Sequence, residues 1–346
     1  MDNTLILTVA IVLVALIFDY INGFHDAANS VATIVATRVL SPFQAVLWAA
    51  FWNFIAAIPL LFFHEAGVAK TVGAGMVDLK YVTEFVILGG LFGAIFWNLL
   101  TWYYGIPSSS SHALMGGYAG ATMAKVMLTE GVSNAFNAVV WKGWLITIAF
   151  IVVAPVLGLL LAYALMILVY WLFKDAMPKK MDVWFRKLQL VSSALFSYSH
   201  GANDAQKTMG IIASVLFTAG YNKEFVIDWW VVLSAHAAIA LGTMSGGWRI
   251  VHTMGGRLTR LKPRGGFCAE TAGAIAILFP TYLKVPVSTT HVITGAIAGV
   301  GSIQRLKAVR WGLASNILWA WILTLPMSAL VGGLGFLLIR LLTGRE

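Results

Sequence analysis

Apolar residues fill this chain in a series of long runs, roughly 4–22, 27–37, 43–63, 82–104, 112–128, 141–173, 188–200, 205–220, 229–247, 267–283, 291–303 and 311–340. A bilayer crossing takes about 20 apolar residues, and a backbone in hydrocarbon must satisfy its own polar groups. The pattern therefore predicts an all-α integral membrane protein with about ten to twelve spanning or half-spanning segments. The runs at 27–37, 188–200 and 291–303 are only 11 to 13 residues long, which predicts broken helices or re-entrant hairpins. Such interruptions mark binding sites in proteins that carry solutes across membranes.

Composition agrees. Of 346 residues, 60% are hydrophobic and 11% charged, against about 25% charged in a soluble domain, and the mean hydropathy is +0.84. A water-soluble fold is excluded, and no separate soluble domain is left over. Met1, Asp2 and Asn3 lack the basic stretch of a secretory signal, so the first run is expected to remain as a membrane helix. The single Cys268 removes internal disulfides and cysteine-based metal sites, and is expected to be a small buried residue. The net charge of +9 needs no nucleic acid, because membrane proteins gather Lys and Arg in cytoplasmic connections.

The chain repeats itself. GFHDAANS at 23–30 aligns with GANDAQKT at 201–208, which places Asp26 on Asp204 at an offset of 178 residues. PSSSSHALMGGYAG at 107–120 aligns with PVSTTHVITGAIAG at 286–299, which places His112 on His291 at an offset of 179. Two unrelated motifs whose offsets agree to within a single residue indicate two copies of one unit: 1–172, a short basic cytoplasmic linker at 173–187, and 188–346. The linker carries Lys174, Lys179, Lys180, Arg186 and Lys187; the 248–266 loop carries Arg249, Arg257, Arg260, Lys262 and Arg264; a third basic loop carries Arg305, Lys307 and Arg310. With Arg38 these place 14 of the 23 basic residues inside. The 221–228 segment, with Lys223 against Glu224 and Asp228, reads as external. Each copy then crosses an odd number of times, so the second enters upside down and both termini lie outside. The expected architecture is two inverted-topology repeats with broken helices and re-entrant hairpins, meeting around a midplane site.

Asp26, Asp204, Lys207 and Glu270 lie within or beside apolar runs. Each costs roughly 2.5 to 3.5 kcal/mol at the centre of an inserted helix, so they must pair, line water or bind ions. Asp204 and Lys207, spaced i, i+3, can neutralise each other. That does not serve Asp26, because Asn29 stands where the second copy has Lys207. Around Asp26 the chain offers Asn22, Asn29, Ser30 and Thr33 as oxygens for a hard cation, and Gly23 would let the backbone unwind. Asn203 and Gln206 belong to the matching segment of the second copy.

The hydroxyl clusters Ser108–Ser111 and Ser288–Thr290 follow Pro107 and Pro286 and lead into new helices, where free N–H groups and the dipole favour an anion. Capping alone would need fewer hydroxyls. Two anion-binding helix ends beside two carboxylates and one lysine suit an oxyanion that carries its own proton, such as hydrogen phosphate, better than sulfate. His112 and His291 are expected to close the hairpins structurally. His25 and His200 could relay protons. Glu270 has Leu91 and Phe92 at the aligned positions and reads as a structural ion pair or gate. The 14 tryptophans gather near segment ends, where they anchor at the interface.

GFHDAANSVAT at 23–33, PSSSSH at 107–112, SHGANDAQKTMG at 199–210 and PVSTTH at 286–291 resemble, in order and over the whole chain, the inorganic phosphate transporter family. The resemblance implies transport of phosphate with sodium or protons, no cofactor, and a phosphate and cation site at Asp26, Asn29, Asp204 and Lys207 with Ser109, Ser110, Ser111, Ser288, Thr289 and Thr290. Asn203 would assist the cation. Implied partners are inorganic phosphate, the coupling cation and the lipid bilayer, with a homodimer possible. The family's first motif often has asparagine where this chain has His25, which suits proton coupling. The short linker resembles bacterial or archaeal members and implies their plasma (inner) membrane. A general carrier of sulfate or metal-phosphate is the alternative. An intramembrane serine hydrolase using His112 and Asp26 is remote, since no G-x-S-x-G occurs, and inverted halves with buried opposite charges disfavour a passive anion channel.

Overall fold

A backbone surrounded by hydrocarbon pairs its N–H and C=O groups within its own segment, so the apolar runs become helices. The computed structural model describes residues 3–63, 66–304 and 308–344. Its helices are α1 (Asn3–Ala36), α2 (Pro42–Ile55), α3 (Ala57–Phe63), α4 (Gly67–Ala74), α5 (Glu84–Tyr103), α6 (Ser110–Thr129), α7 (Trp141–Leu172), α8 (Pro178–Thr218), α9 (Trp229–Ser245), α10 (Trp248–His252), α11 (Pro263–Tyr282), α12 (Thr289–Gln304) and α13 (Trp311–Thr343). Among the described residues five segments are long and apolar enough to cross a membrane, or six if α9 and the 248–256 segment, bent by 61°, count as one. The lipid-facing character shows on α7 and α13, where Leu145, Val152, Leu160, Trp319, Ile322 and Leu330 are exposed.

The order of elements repeats: long α1 matches α8, the broken α2–α4 match α9–α10, the hairpin α5–α6 matches α11–α12, and long α7 matches α13. Packing is reciprocal. α1 lies against α9 as α8 lies against α2; α1 meets α10 as α8 meets α4; α6 packs on α13 as α12 packs on α7. Matching helices α1 and α8 run antiparallel: the Thr37 hydroxyl donates to Gln189 at 2.9 Å near the end of one and the start of the other, while Asp19 on α1 neighbours Thr208 far along α8. The two large apolar cores mix residues of both halves, Ile11 and Leu114 with Met209 and Ile239 in one, Val31 and Ala162 with Cys268 and Ile293 in the other. Cys268 is buried, as expected.

Three sequence expectations change. The 27–37 and 188–200 runs are not broken helices: α1 and α8 continue through them. Their polar residues lower the hydropathy of the run without breaking the ladder, because they lie on one face. Gly23 does not unwind the chain; a Cβ there would stand 2.1 Å from the Ile239 carbonyl oxygen, and one at the matching Gly201 would stand 2.5 Å from that of Asn53. Both glycines let a crossing helix touch backbone. The basic segment is mostly helix, since α8 starts at Pro178, and the 248–266 loop contains α10 and the start of α11. The third expected break holds: α12 follows a non-helical stretch at 283–288. Arg305 and Lys307 lie outside the described residues.

Candidate functional site

The site lies where the middle of the α1–α8 seam meets the tips of both hairpins. Residues 19, 22, 26, 29, 33 and 37 recur at three- or four-residue steps, so α1 turns Asp19, Asn22, Asp26, Asn29, Thr33 and Thr37 to one side. All six are buried. α8 answers with Gln189, Ser192, His200, Asp204 and Lys207.

At the first hairpin, Ser109 caps α6 by accepting from the His112 backbone N–H at 3.2 Å. At the second, Ser288 accepts from the His291 N–H at 3.3 Å. The remaining hydroxyls, as expected, exceed what the caps need. The Ser110 hydroxyl donates to Asp26 Oδ1 at 3.2 Å, and its aligned partner Thr289 donates to Asp204 Oδ2 at 3.3 Å. Lys207 Nζ donates to Ser111 at 2.5 Å, and its aligned partner Asn29 donates to Thr290 at 2.9 Å and to Thr289 at 3.2 Å. Each aspartate thus binds the hairpin of its own half, and the residue one turn on reaches the hairpin of the other. Lys207 also pairs with Asp204 and donates to the Val287 carbonyl at 2.8 Å.

His25 Nδ1 lies 2.7 Å from Asp26 Oδ1, and its Nε2 lies 3.0 Å from the Thr101 hydroxyl. His200 Nε2 stands 3.2 Å from Asp204 Oδ2. Asp26, His200 and Asp204 each present a ligand atom, all within 4.8 Å of one another. Asn203, in the position of His25, turns its amide to Thr281 at 2.6 Å. Both residues therefore tether a broad helix to a hairpin arm, and asparagine and histidine serve alike there.

Other expected residues stand apart. Gln206 is not at the hydroxyl cluster: its Oε1 accepts the Val68 N–H at 3.0 Å at the start of α4, which a short helix needs because its first N–H groups lack partners. The His112 and His291 rings face each other edge-on at 5.0 Å, and His291 stacks on Trp321 at 3.9 Å, while His112 Nδ1 and both His291 ring nitrogens have no hydrogen-bond partner. Glu270 is not an ion pair; it accepts from Thr33 at 2.6 Å, Gln189 at 2.9 Å and Ser192 at 2.5 Å. Those neutral donors could not be read from a search for cations.

Sequence reasoning passed over Asp19, which is fully buried. The repeat search skips it because Ser197 occupies its place in the second copy, yet its seven-residue distance from Asp26 puts both on one helix face.

None of the site's aspartates, the hairpin hydroxyls Ser108–Ser111 and Ser288–Thr290, or Lys207 is more than 4% exposed. One flank is sealed: Phe24 packs on Trp102 at 4.9 Å, and Arg249 lies over Trp102 at 5.1 Å and donates to the Tyr103 carbonyl at 2.5 Å. The opposite flank, where Ala202 and Thr281 take the places of Phe24 and Trp102, borders a cavity of about 720 Å³ that also touches Tyr198, Gln206 and Lys284.

The sequence profile described as the phosphate transporter family matches residues 22–332. The chain is 55% identical over 337 residues, 96% of its length and 97% of the relative's, to a probable low-affinity inorganic phosphate transporter of Rhizobium meliloti. It is 43% identical over 346 residues, 99% and 100% of the two lengths, to one described likewise in Bacillus subtilis. A solved structure described as the sodium-dependent phosphate transporter superposes with a TM-score of 0.86 at 25% identity, over 97% of this chain and 99% of that one.

Proposed function

The chain belongs to the phosphate transporter family, and from that premise we propose that it is a symporter that imports inorganic phosphate with sodium or protons by alternating access. The observation that carries this reading is the cross-linked pairing at the seam: Ser110 with Asp26 and Thr289 with Asp204, Lys207 on Ser111 and Asn29 on Thr290. Two capped helix ends supply N–H groups for phosphate oxygens, Lys207 supplies positive charge, and a carboxylate accepts the P–OH proton that sulfate lacks. Among buried charged side chains, Asp19, Asp26, Asp204 and Glu270 outnumber Lys207, and an arriving anion adds to that imbalance. Accompanying cations are needed to offset it.

On this reading 1–172 and 188–346 are inverted repeats, joined by the basic segment at the cytoplasmic face of a bacterial plasma membrane, with both termini outside. The Phe24–Trp102–Arg249 seal then faces the cytoplasm and the cavity beside Ala202 faces outward. The antiparallel course of α1 and α8 supports the inversion, and the exchange of α7 and α13 between the hairpins supports a rocking pair of bundles.

The test is uptake of labelled phosphate by protein reconstituted in liposomes, with sodium and pH gradients imposed separately. One gradient should drive accumulation, and competition by sulfate as strong as that by phosphate overturns phosphate selectivity. A second reading, carriage of a neutral metal-phosphate complex, is favoured by the Asp26, His200 and Asp204 cluster, because an imidazole ligand suits a divalent metal better than sodium. Equal co-uptake of labelled divalent metal and phosphate would establish it.

A further inference from the structure

We infer that Asp19, Asn22 and Thr208 form an additional sodium site, two helical turns outward from Asp26 along the α1–α8 seam. For what the ion accomplishes, this rests on the symport reading; for whether the ion binds, it does not.

The four buried carboxyls differ sharply in company. Asp26 has His25 and Ser110. Asp204 has Lys207, His200 and Thr289. Glu270 has three neutral donors. Asp19 has one long contact, the Asn22 amide at 3.4 Å from Oδ1, and its Oδ2 has no donor. Its accessibility is 0%. A carboxylate taken out of water without a counter-charge is costly by several kcal/mol, so this group is held neutral by something.

The neighbouring atoms indicate what. Asn22 Oδ1 and the Thr208 hydroxyl are both buried without a hydrogen-bond partner, and Thr208 lies beside the Asp19 carboxyl. Three side chains on two helices therefore present unmatched oxygens in one place. A proton on Oδ2 satisfies one acceptor and leaves the others orphaned. A hard cation takes carboxylate, amide carbonyl and hydroxyl oxygens together, and a single carboxylate matches one positive charge. None of these three side chains offers a nitrogen or sulfur ligand that would favour a transition metal. The charges that act on Asp19 are those of Asp204 and Lys207 on α8, and Lys207 is already spent on Asp204. On α9, which packs on α1, the buried His236 has its Nδ1 on the Val232 carbonyl at 2.9 Å, while its Nε2 has no partner.

The placement couples the ion to the substrate. Thr208 follows Lys207 directly, and Asn22 stands one turn before Asp26. An ion clamped between them fixes the register of α1 against α8, hence the position of Lys207 against Ser111 and of Asn29 against Thr290. About 10 Å of helix separate Asp19 from Asp26, so ion and phosphate do not compete for the same ligands.

The experiment is equilibrium binding of ²²Na⁺ to the purified full-length protein without phosphate, paired with thermal unfolding in NaCl against choline chloride. Asp19→Asn should bind one sodium ion fewer than the unmutated protein. Thr208→Val, which keeps the carboxylate, should retain the ion with about tenfold weaker affinity. Both should lose part of the sodium-dependent rise in unfolding temperature, and Asp19→Asn should be more stable than the unmutated chain in choline. Unchanged stoichiometry and affinity in both variants overturn the site. So does the absence of any sodium binding, which would leave phosphate import by a proton gradient intact. Sodium-independent uptake that loses its pH dependence in Asp19→Asn would assign the group to a proton and overturn the sodium assignment.

Discussion

Lys207 is the residue whose loss separates folding from binding. It neutralises Asp204, holds Ser111 of one hairpin and ties the Val287 carbonyl of the other. Lys207→Met leaves Asp204 buried without a cation, a change that costs about 3–5 kcal/mol. The expected outcome is a large drop in unfolding temperature in detergent. Removing both charges, Lys207→Met with Asp204→Asn, should restore most of that stability because no unpaired charge remains, while phosphate uptake stays lost. If the double variant were as unstable as the single one, the lysine's hold on the hairpins rather than its charge would be the stabilising part. Asn29, its aligned counterpart, carries no charge, so Asn29→Ala should weaken phosphate uptake with little effect on stability. His25 offers a different separation. It takes the place that Asn203 takes in the second half, and both reach a threonine on a hairpin arm. His25→Asn should therefore keep the fold and weaken the pH dependence of uptake. An unchanged pH profile would remove His25 from proton handling.

Among the elements, the helices that carry the aspartates are continuous, and the interruptions lie in the hairpins and in the short α4 and α10. Their close approach depends on glycine: a Cβ at Gly23 would overlap the Ile239 carbonyl oxygen at 2.1 Å, so Gly23→Ala must push α9 off α1. Overpacking of this kind costs about 1–3 kcal/mol, readable as lower thermal stability, with Gly201→Ala the matching case against α2. Much of this was legible in sequence. Proline followed by hydroxyls located both capped hairpin tips, and one shared offset paired Ser110 with Thr289 and Ser111 with Thr290 before any coordinates. What escaped has physical causes. α4 and α10 are eight and five residues long, too short for any hydropathy run. The polar stripe on α1 lowers hydropathy as a break would, and only its three- and four-residue spacing tells the two apart. Gln206 lies one turn from Asn203 but serves the start of α4, a contact made across 138 residues that no local pattern encodes.

At the scale of the whole molecule, the rocking proposed above would not divide the chain at its halves. Hairpin α5–α6 is backed by α13 from the other half, and α11–α12 by α7. Two bundles thus flank the α1–α8 seam, each tied to it through one aspartate and one crossing contact. Because matching contacts exist on both sides, tilting one bundle inward while the other opens exchanges one set of closures for its mirror counterpart. The two flanks are unequal here. Phe24, Trp102 and Arg249 close one, where the Thr253 hydroxyl also donates to the Gly105 carbonyl at 2.9 Å. Ala202 and Thr281 leave the other beside its cavity. Single-cysteine reporters in a Cys268→Ala background separate the two states, since the native thiol is buried and its removal leaves no other. Ala202→Cys should react with a membrane-impermeant maleimide from outside and be protected when phosphate and the driving cation are both present. Thr253→Cys should be unreactive at rest and become reactive from the cytoplasmic side during turnover. Opposite changes at the two positions are what a seal exchanged between mirror-related flanks requires. Reaction at both positions at once would instead mean a continuous pore, and alternating access would have to be given up.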